Sequence, residues 1–153
     1  ILKLSGHPPV GWHTKSSTSP FTRDLLIEHG GFLYDSNAYN DDIPYVVKKN
    51  DHKLVIIPYS FDTNDMRFLT PQGFHNGEHF FNYLKDSFDC LYEERHEGSK
   101  IMNIGLHCRI IGKPGRFPAL KKFVDYIQSF SDVWFTTRIG IARHWRKVLP
   151  HEK

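Results

Sequence analysis

Apolar residues along the chain of 153 residues fall into short runs separated by polar, turn-prone stretches, and the spacing within each run predicts its element. The first is a helix from Ser19-Pro20 to Gly30 or Gly31. A capping hydroxyl and a proline at the first helical position start it, and Phe21, Leu25 and Leu26 form its apolar stripe. GFLYDS, from Gly31, follows as a strand. DSNAYNDDIPY (35–45) then mixes Asp, Asn and Pro into a long loop. After a turn at Asn50-Asp51, the unbroken apolar run from Lys53 to Pro58 predicts a strand buried on both faces. YSFDTNDMR (59–67) is a second polar loop bearing aromatic side chains.

Between Glu78 and His96, Phe80, Phe81, Leu84, Phe88 and Leu91 recur at three and four, which predicts a long helix ended by Gly98. IMNIGLH (101–107) is expected as a buried strand opening into the shaped loop CRIIGKPGR (108–116). A helix from about 118 to 130, a short β-prone piece at 132–135 and a last helix at 136–147 complete the pattern. Strand, loop and helix thus alternate about four times, the rhythm of a parallel α/β fold with helices covering the sheet. In such folds ligands bind where strands end, so the loops after 31–34, 54–58, 101–107 and 133–135 are the expected seat of any chemistry.

Composition narrows the function classes. With 39% hydrophobic, 24% charged and 14% aromatic residues the chain should fold rather than remain disordered, and its length suits one domain. A net charge of +3 is too mild to imply a nucleic acid or an anionic membrane as partner. No apolar run approaches the roughly 20 residues that cross a bilayer. Ile1 opens a segment with neither a signal-peptide core nor an initiator Met, so any targeting segment is expected to have been removed or not included. Cys90 and Cys108 lack zinc-type spacing and are expected as free core thiols, with a disulfide between them the lesser alternative. The sequence leaves the compartment open and favours a cytoplasmic location. A basic tail is expected at 148–153.

Several residues carry candidate chemistry. His107 ends an apolar strand, where it can exchange a proton near neutral pH or serve as a satisfied structural histidine. Asp41 and Asp42 are adjacent carboxylates in a loop: an acid–base pair or a charged surface turn. His75 and His79 share one helix face if the helix starts early, a weak metal signal beside which a solvated helix start is the better reading, and HExxH does not occur. Asp62, Asn64 and Asp65 resemble part of a calcium loop without its central Gly and closing Glu. Gly112-Lys113-Pro114-Gly115-Arg116 could grip an anion but lacks the pattern of a nucleotide phosphate loop. No metal or other cofactor is expected.

Four longer strings resemble one family. GWHTKSSTSPFTRDLLIEHGGFLYDSNAYNDDIPYVV, VIIPYSFDTNDMRF, MNIGLHCRIIGKPGR and DVWFTTRIGIARHW are similar to the metal-independent allantoinases and related members of the polysaccharide deacetylase superfamily, over about Pro9 to Trp145. The resemblance implies an α/β chain forming part of a distorted (β/α) barrel of the polysaccharide deacetylase type, with about four parallel strands and covering helices. It also implies hydrolysis of non-peptide carbon–nitrogen bonds, with a polar, amide-rich small molecule as substrate. By the same likeness Trp12 is a wall of the pocket, Asn40, Asp41 and Asp42 belong to a pocket loop, and Arg116 is a pocket or loop arginine. His107 matches the histidine that assists leaving-group protonation in the deacetylases.

The departures bear equally on function. The motifs that supply the acidic base and the metal ligands of deacetylases have no counterpart, so residues 1–153 are expected to be the C-terminal half of a barrel domain. His13 and Lys15-Ser16 stand where the allantoinase string is expected to have Tyr and Gly-Arg, and loss of that arginine weakens recognition of a ureido or carboxylate group. Two functions remain. One is a hydrolase half that works with the missing barrel half as partner. The other is a non-catalytic module that binds a small ligand or associates, with itself or another protein, through open sheet edges.

Overall fold

The computed structural model describes residues 1–49 and 51–148; the expected turn residue Asn50 and, of the expected basic tail, residues 149–153 lie outside the described residues. The chain divides into two compact units, one formed by Ile1–Tyr59 with the segment from Phe135 onward, the other by Ser60–Trp134.

The first unit opens with a single helical turn, α1 (Leu2–Ser5), and holds β1 (Gly11–Trp12), α2 (Thr22–His29), β2 (Tyr34–Asp35), β3 (Tyr45–Lys49) and β4 (His52–Ile56). The strands form one open sheet in the order β1-β2-β4-β3. β1, β2 and β4 run parallel, whereas β3 pairs antiparallel with β4 from Tyr45↔Ile56 to Lys49↔His52. The run predicted to be buried on both faces is β4 and the residue after it: Leu54, Val55, Ile56 and Ile57 are at most 1% exposed, β4 having a strand on either side and α2 and the last helix of the chain packed against it. With helices flanking it, this is the partial (β/α) barrel expected from the sequence.

Individual elements differ from expectation. β3 was not anticipated: Pro44 precedes it and Lys48 and Lys49 end it exposed, so the signal reduces to Tyr45-Val46-Val47. α2 starts later than expected. Ser19 and Pro20 form a turn in which Ser19 Oγ accepts from Phe21 N (3.3 Å) and Thr22 Oγ1 from Ser19 N (3.0 Å). The helix therefore turns Leu26 and Ile27 inward and leaves Phe21 and Leu25 exposed. Gly30 ends it in the left-handed conformation (φ 76°), its N–H reaching the carbonyls of Leu26 and Ile27.

The second unit contains a 3-10 helix (Asp65–Leu69), α3 (Gly77–Glu93), a 3-10 turn (Glu94–His96), α4 (Cys108–Ile111) and α5 (Phe117–Ile127). Asn76 starts α3 by accepting from His79 N through its side chain at 2.9 Å. Phe80, Phe81, Leu84 and Phe88 lie buried on one face as predicted, packed with Phe74, Ala119, Phe123 and Ile127. The helices come close at Gly77, where a Cβ would lie 3.1 Å from Gly115 O and 3.2 Å from the Ala119 methyl. Neither expected strand at 101–107 nor that at 133–135 forms as such: the first makes an isolated parallel bridge, Gly105 to Asn64, and the second carries no strand. A single bridge suffices because Gly105 N donates to Thr63 O and Asp65 N to Gly105 O, with no further ladder.

The last helix, α6 (Arg138–Val148), belongs to the first unit, with Ala142 fully buried. Cys90 and Cys108 are free as expected, but both are exposed rather than in the core. Cys90 faces away from the buried stripe of α3, and the charge of Glu94 beside it, followed by burial and a hydrogen bond to that carboxylate, pushes its thiol up. Among the described residues no helix is long and apolar enough to cross a membrane.

Candidate catalytic site

In the second unit, two segments distant in sequence converge on one carboxylate. Asn64 is extended and its side chain accepts from Met66 N at 2.8 Å, which starts the 3-10 helix at Asp65. The bridge to Gly105 and the hydrogen bond from Thr63 Oγ1 to Asn103 O bring residues 103–107 alongside. His107 then precedes α4 in extended conformation. Asp65 is fully buried, and its Oδ2 accepts from His107 N (2.7 Å) and Ile111 N (3.2 Å). Its Oδ1 lies 2.6 Å from His107 Nδ1.

This geometry sets the chemistry of the imidazole. A carboxylate without a proton can only accept, so the hydrogen of the neutral ring sits on Nδ1 and Nε2 is left to exchange a proton. The His107 side chain is 32% exposed while Asp65 is sealed, so the ring can meet a ligand and the carboxylate cannot. Asp65 also lies opposite any positive charge that develops when Nε2 takes up a proton.

A clamp backs the 3-10 helix. Arg67 Nη1 donates to Asp62 O (2.9 Å) and Oδ1 (3.1 Å), and its guanidinium lies over the rings of Phe74 and Tyr83. Tyr83 donates to Asp62 Oδ2 at 2.6 Å, and that bond, with burial, raises its phenol above the ordinary value. Arg116 flanks the far end of α4: its Nη1 donates to Ile110 O (3.3 Å) and its guanidinium covers Phe68 at 4.6 Å. The second unit therefore gathers His107 and Arg116 at the two ends of α4.

The other expected residues belong to the first unit. Trp12, 41% exposed on β1, donates from Nε1 to Thr14 Oγ1 (2.8 Å) and meets Phe32 edge-on. Asn40 accepts from the Tyr45 hydroxyl at 3.4 Å. Asp41 Oδ1 accepts from Asp42 N (2.8 Å) and Ile43 N (3.2 Å), so it shapes its own turn, with Asp42 exposed beside it. The buried carboxylate of this loop is Asp35, 1% exposed, which takes Arg23 Nε at 3.2 Å and both the backbone N–H and the side-chain amide of Asn37.

Sequence reasoning missed Asp35 and the role of Asp65. The signal for Asp65 was its place in a polar run directly after a buried strand, weighed there only as part of a cation loop. His75 and His79 stand edge to face at 5.5 Å, and among the described residues no three His, Cys, Asp or Glu gather as metal ligands.

No family model matches the chain. A Schizosaccharomyces pombe protein described as "Putative polysaccharide deacetylase" is 40% identical over 163 residues, covering 97% of this chain and 51% of that protein. A crystal structure of a probable polysaccharide deacetylase from Pseudomonas aeruginosa PAO1 matches with a TM-score of 0.92 and 53% identity, over 97% of this chain and 50% of the other. The crystal structure of Puue Allantoinase matches with a TM-score of 0.92 and 51% identity, over 98% of this chain and 50% of the other. The chain spans about half the length of the relatives it matches. The kinship is thus with the polysaccharide deacetylase and allantoinase-like fold at the level of the superfamily, over part of its domain.

Proposed function

We propose that this chain is the histidine-bearing half of a hydrolase acting on non-peptide carbon–nitrogen bonds, of the cyclic-amide or deacetylase type. The observation that carries the reading is the Asp65–His107 pair: a sealed carboxylate holding Nδ1 of an imidazole that is one-third exposed, so that Nε2 is the nitrogen left to exchange a proton. Hydrolysis breaks a carbonyl C–N bond and forms a C–O bond from water. Water gives up one proton and the departing nitrogen takes one up. His107 in its protonated form supplies that second proton from Nε2 and returns to the neutral tautomer that Asp65 holds. The base that takes the proton from water is assigned to no residue of this chain; it belongs to the complementary half of the barrel, in line with the twofold greater length of the relatives.

Arg116 is proposed to shape the ligand site beside His107 in the second unit, and Trp12, Asn40, Asp41 and Asp42 are proposed as substrate-binding residues of the first unit. The test supplies the chain with its complementary half and measures ring opening of allantoin and deacetylation of an N-acetylated sugar, with and without His107→Ala. The reading expects a loss of about 10²- to 10⁴-fold with His107→Ala and disappearance of one limb of the pH–rate profile. Unchanged turnover in that variant, or no turnover of either substrate by the complete assembly, would refute it.

A second reading, a non-catalytic module that pairs through its sheet, is favoured by β1, an outer strand with exposed Trp12. A stable monomeric mass in solution without added partner counts against obligatory pairing.

A further inference from the structure

His13 takes no part in the reading above, yet its ring is oriented as closely as that of His107. β1, β2 and β4 are parallel, so the residues that leave their C-terminal ends emerge at one edge of the sheet. His13 directly follows β1, Ser36 directly follows β2 and Tyr59 comes three residues after β4. His13 Nδ1 lies 2.7 Å from Ser36 O, and its ring lies 4.8 Å from that of Tyr59 at 37°. Tyr39 meets Tyr59 edge-on at 5.7 Å, and the Arg138 guanidinium is 5.7 Å from the Tyr59 centroid. Next to this contact Thr14 N donates to Asn37 Oδ1 at 2.7 Å, and Asn37 is itself pinned by Asp35.

A backbone carbonyl can only accept, so Nδ1 must carry the hydrogen, and in the neutral ring the lone pair sits on Nε2. His13 is exposed, and Nε2 has no hydrogen-bond partner among the described residues. Ser36, whose carbonyl fixes the ring, keeps its own hydroxyl buried without a partner among the described residues. The result is a fixed acceptor beside aromatic faces at the end of a parallel sheet, where α/β folds take their ligands.

We propose that His13 is a specificity-determining residue whose Nε2 accepts a hydrogen bond from a ring N–H of a cyclic ureide lying against Tyr59. The ligand class rests on the carbon–nitrogen hydrolase reading; the orientation of the acceptor does not.

The test uses hydantoin and its 1,3-dimethyl derivative, which lacks both N–H donors, as probes of the chain of 153 residues. The wild-type chain is expected to bind hydantoin about tenfold more tightly than the dimethyl probe, the worth of one hydrogen bond. Asparagine places an amide N–H where Nδ1 was and nothing where Nε2 was. His13→Asn should therefore keep the contact to Ser36 and the melting temperature while the tenfold preference disappears. His13→Ala should lose both. A His13→Asn variant that keeps the preference overturns the proposal, since the ring would then serve only to join two loops. Equal affinity of the wild type for both probes, or no binding of hydantoin, overturns it too. These outcomes are separate from the His107→Ala assay: turnover that depends on His107 with a preference indifferent to His13 leaves the hydrolase reading standing and removes only this one.

Discussion

Replacing Asp65 by asparagine tests the candidate site without changing its shape. The carboxylate takes three donors, His107 N and Ile111 N on Oδ2 and His107 Nδ1 on Oδ1. An amide offers one acceptor and one donor in the same space. If its oxygen faces the backbone donors, its NH₂ faces Nδ1, and the imidazole must move its hydrogen to Nε2. If its oxygen faces the ring, the NH₂ opposes both backbone N–H groups and leaves that of His107 without an acceptor, so the first arrangement wins. Ile111 N keeps His107 O at 3.0 Å in either case.

The cost is the difference between charge-assisted and neutral hydrogen bonds at the two short contacts, about 1 kcal/mol each. A loss of about 2 kcal/mol lowers the melting temperature by about 4–8 °C in a chain of this size. Urea denaturation measures the stability, and ¹⁵N–¹H correlation of the histidine rings reads the tautomer directly. In the completed enzyme turnover should fall by about 10⁴-fold, as for other imidazoles held in the wrong tautomer. Stability within about 0.5 kcal/mol of wild type, with the hydrogen still on Nδ1, would refute the reasoning, since such changes are those of an ordinary surface substitution.

Phe80→Ala empties a fully buried site between α3 and α5 and should cost about 3–5 kcal/mol in a urea melt. Gly73→Ala should destabilise by more than about 1 kcal/mol, because a Cβ there would sit 1.6 Å from Arg67 O, a backbone atom that can yield only by disturbing the 3-10 helix behind Asp65; an unchanged denaturation midpoint would show that the segment shifts freely. Burial pushes the Asp89 carboxyl up, but hydrogen bonds from Lys85 and Tyr126 outweigh it and hold it below its ordinary value. A lowered folded value gives stability that is complete above the unfolded pKa, near 3.9, and is lost as the pH falls through the folded one. Tyr126 is raised by its bond to Asp89 and by burial, so its contribution is complete below about pH 10 and is lost as the pH rises through its folded value. Tyr126→Phe should therefore flatten both limbs of a stability–pH profile, and an unaltered acid limb would show that Lys85 alone holds Asp89.

Helices were more legible in the sequence than strands. The stripe Phe80, Phe81, Leu84 and Phe88 repeats at a period that only a helix satisfies, and the structure buries all four. β1 and β2 are two residues each, too short for any alternation, and exist because β4 templates β2 and β2 templates β1. His107 could be singled out because a histidine at the end of an apolar run is unusual. Its partner could not, since Asp65 lies 42 positions away in a polar stretch that looks like solvated loop.

What the sequence determined alone was local: the long helices α3 and α5, that β4 is buried on both faces, and that a polar loop follows it. These follow from periodicity and turn chemistry within a few residues. What tertiary structure decided was the company each polar side chain keeps. Asp41 spends its carboxylate on its own turn, whereas Asp65 and Asp35, no different in composition, are sealed and hold an imidazole and a guanidinium. The physical reason is that burial and hydrogen-bond direction arise only when segments distant in the chain pack together, and these two quantities decide whether a carboxylate is surface charge or part of a site.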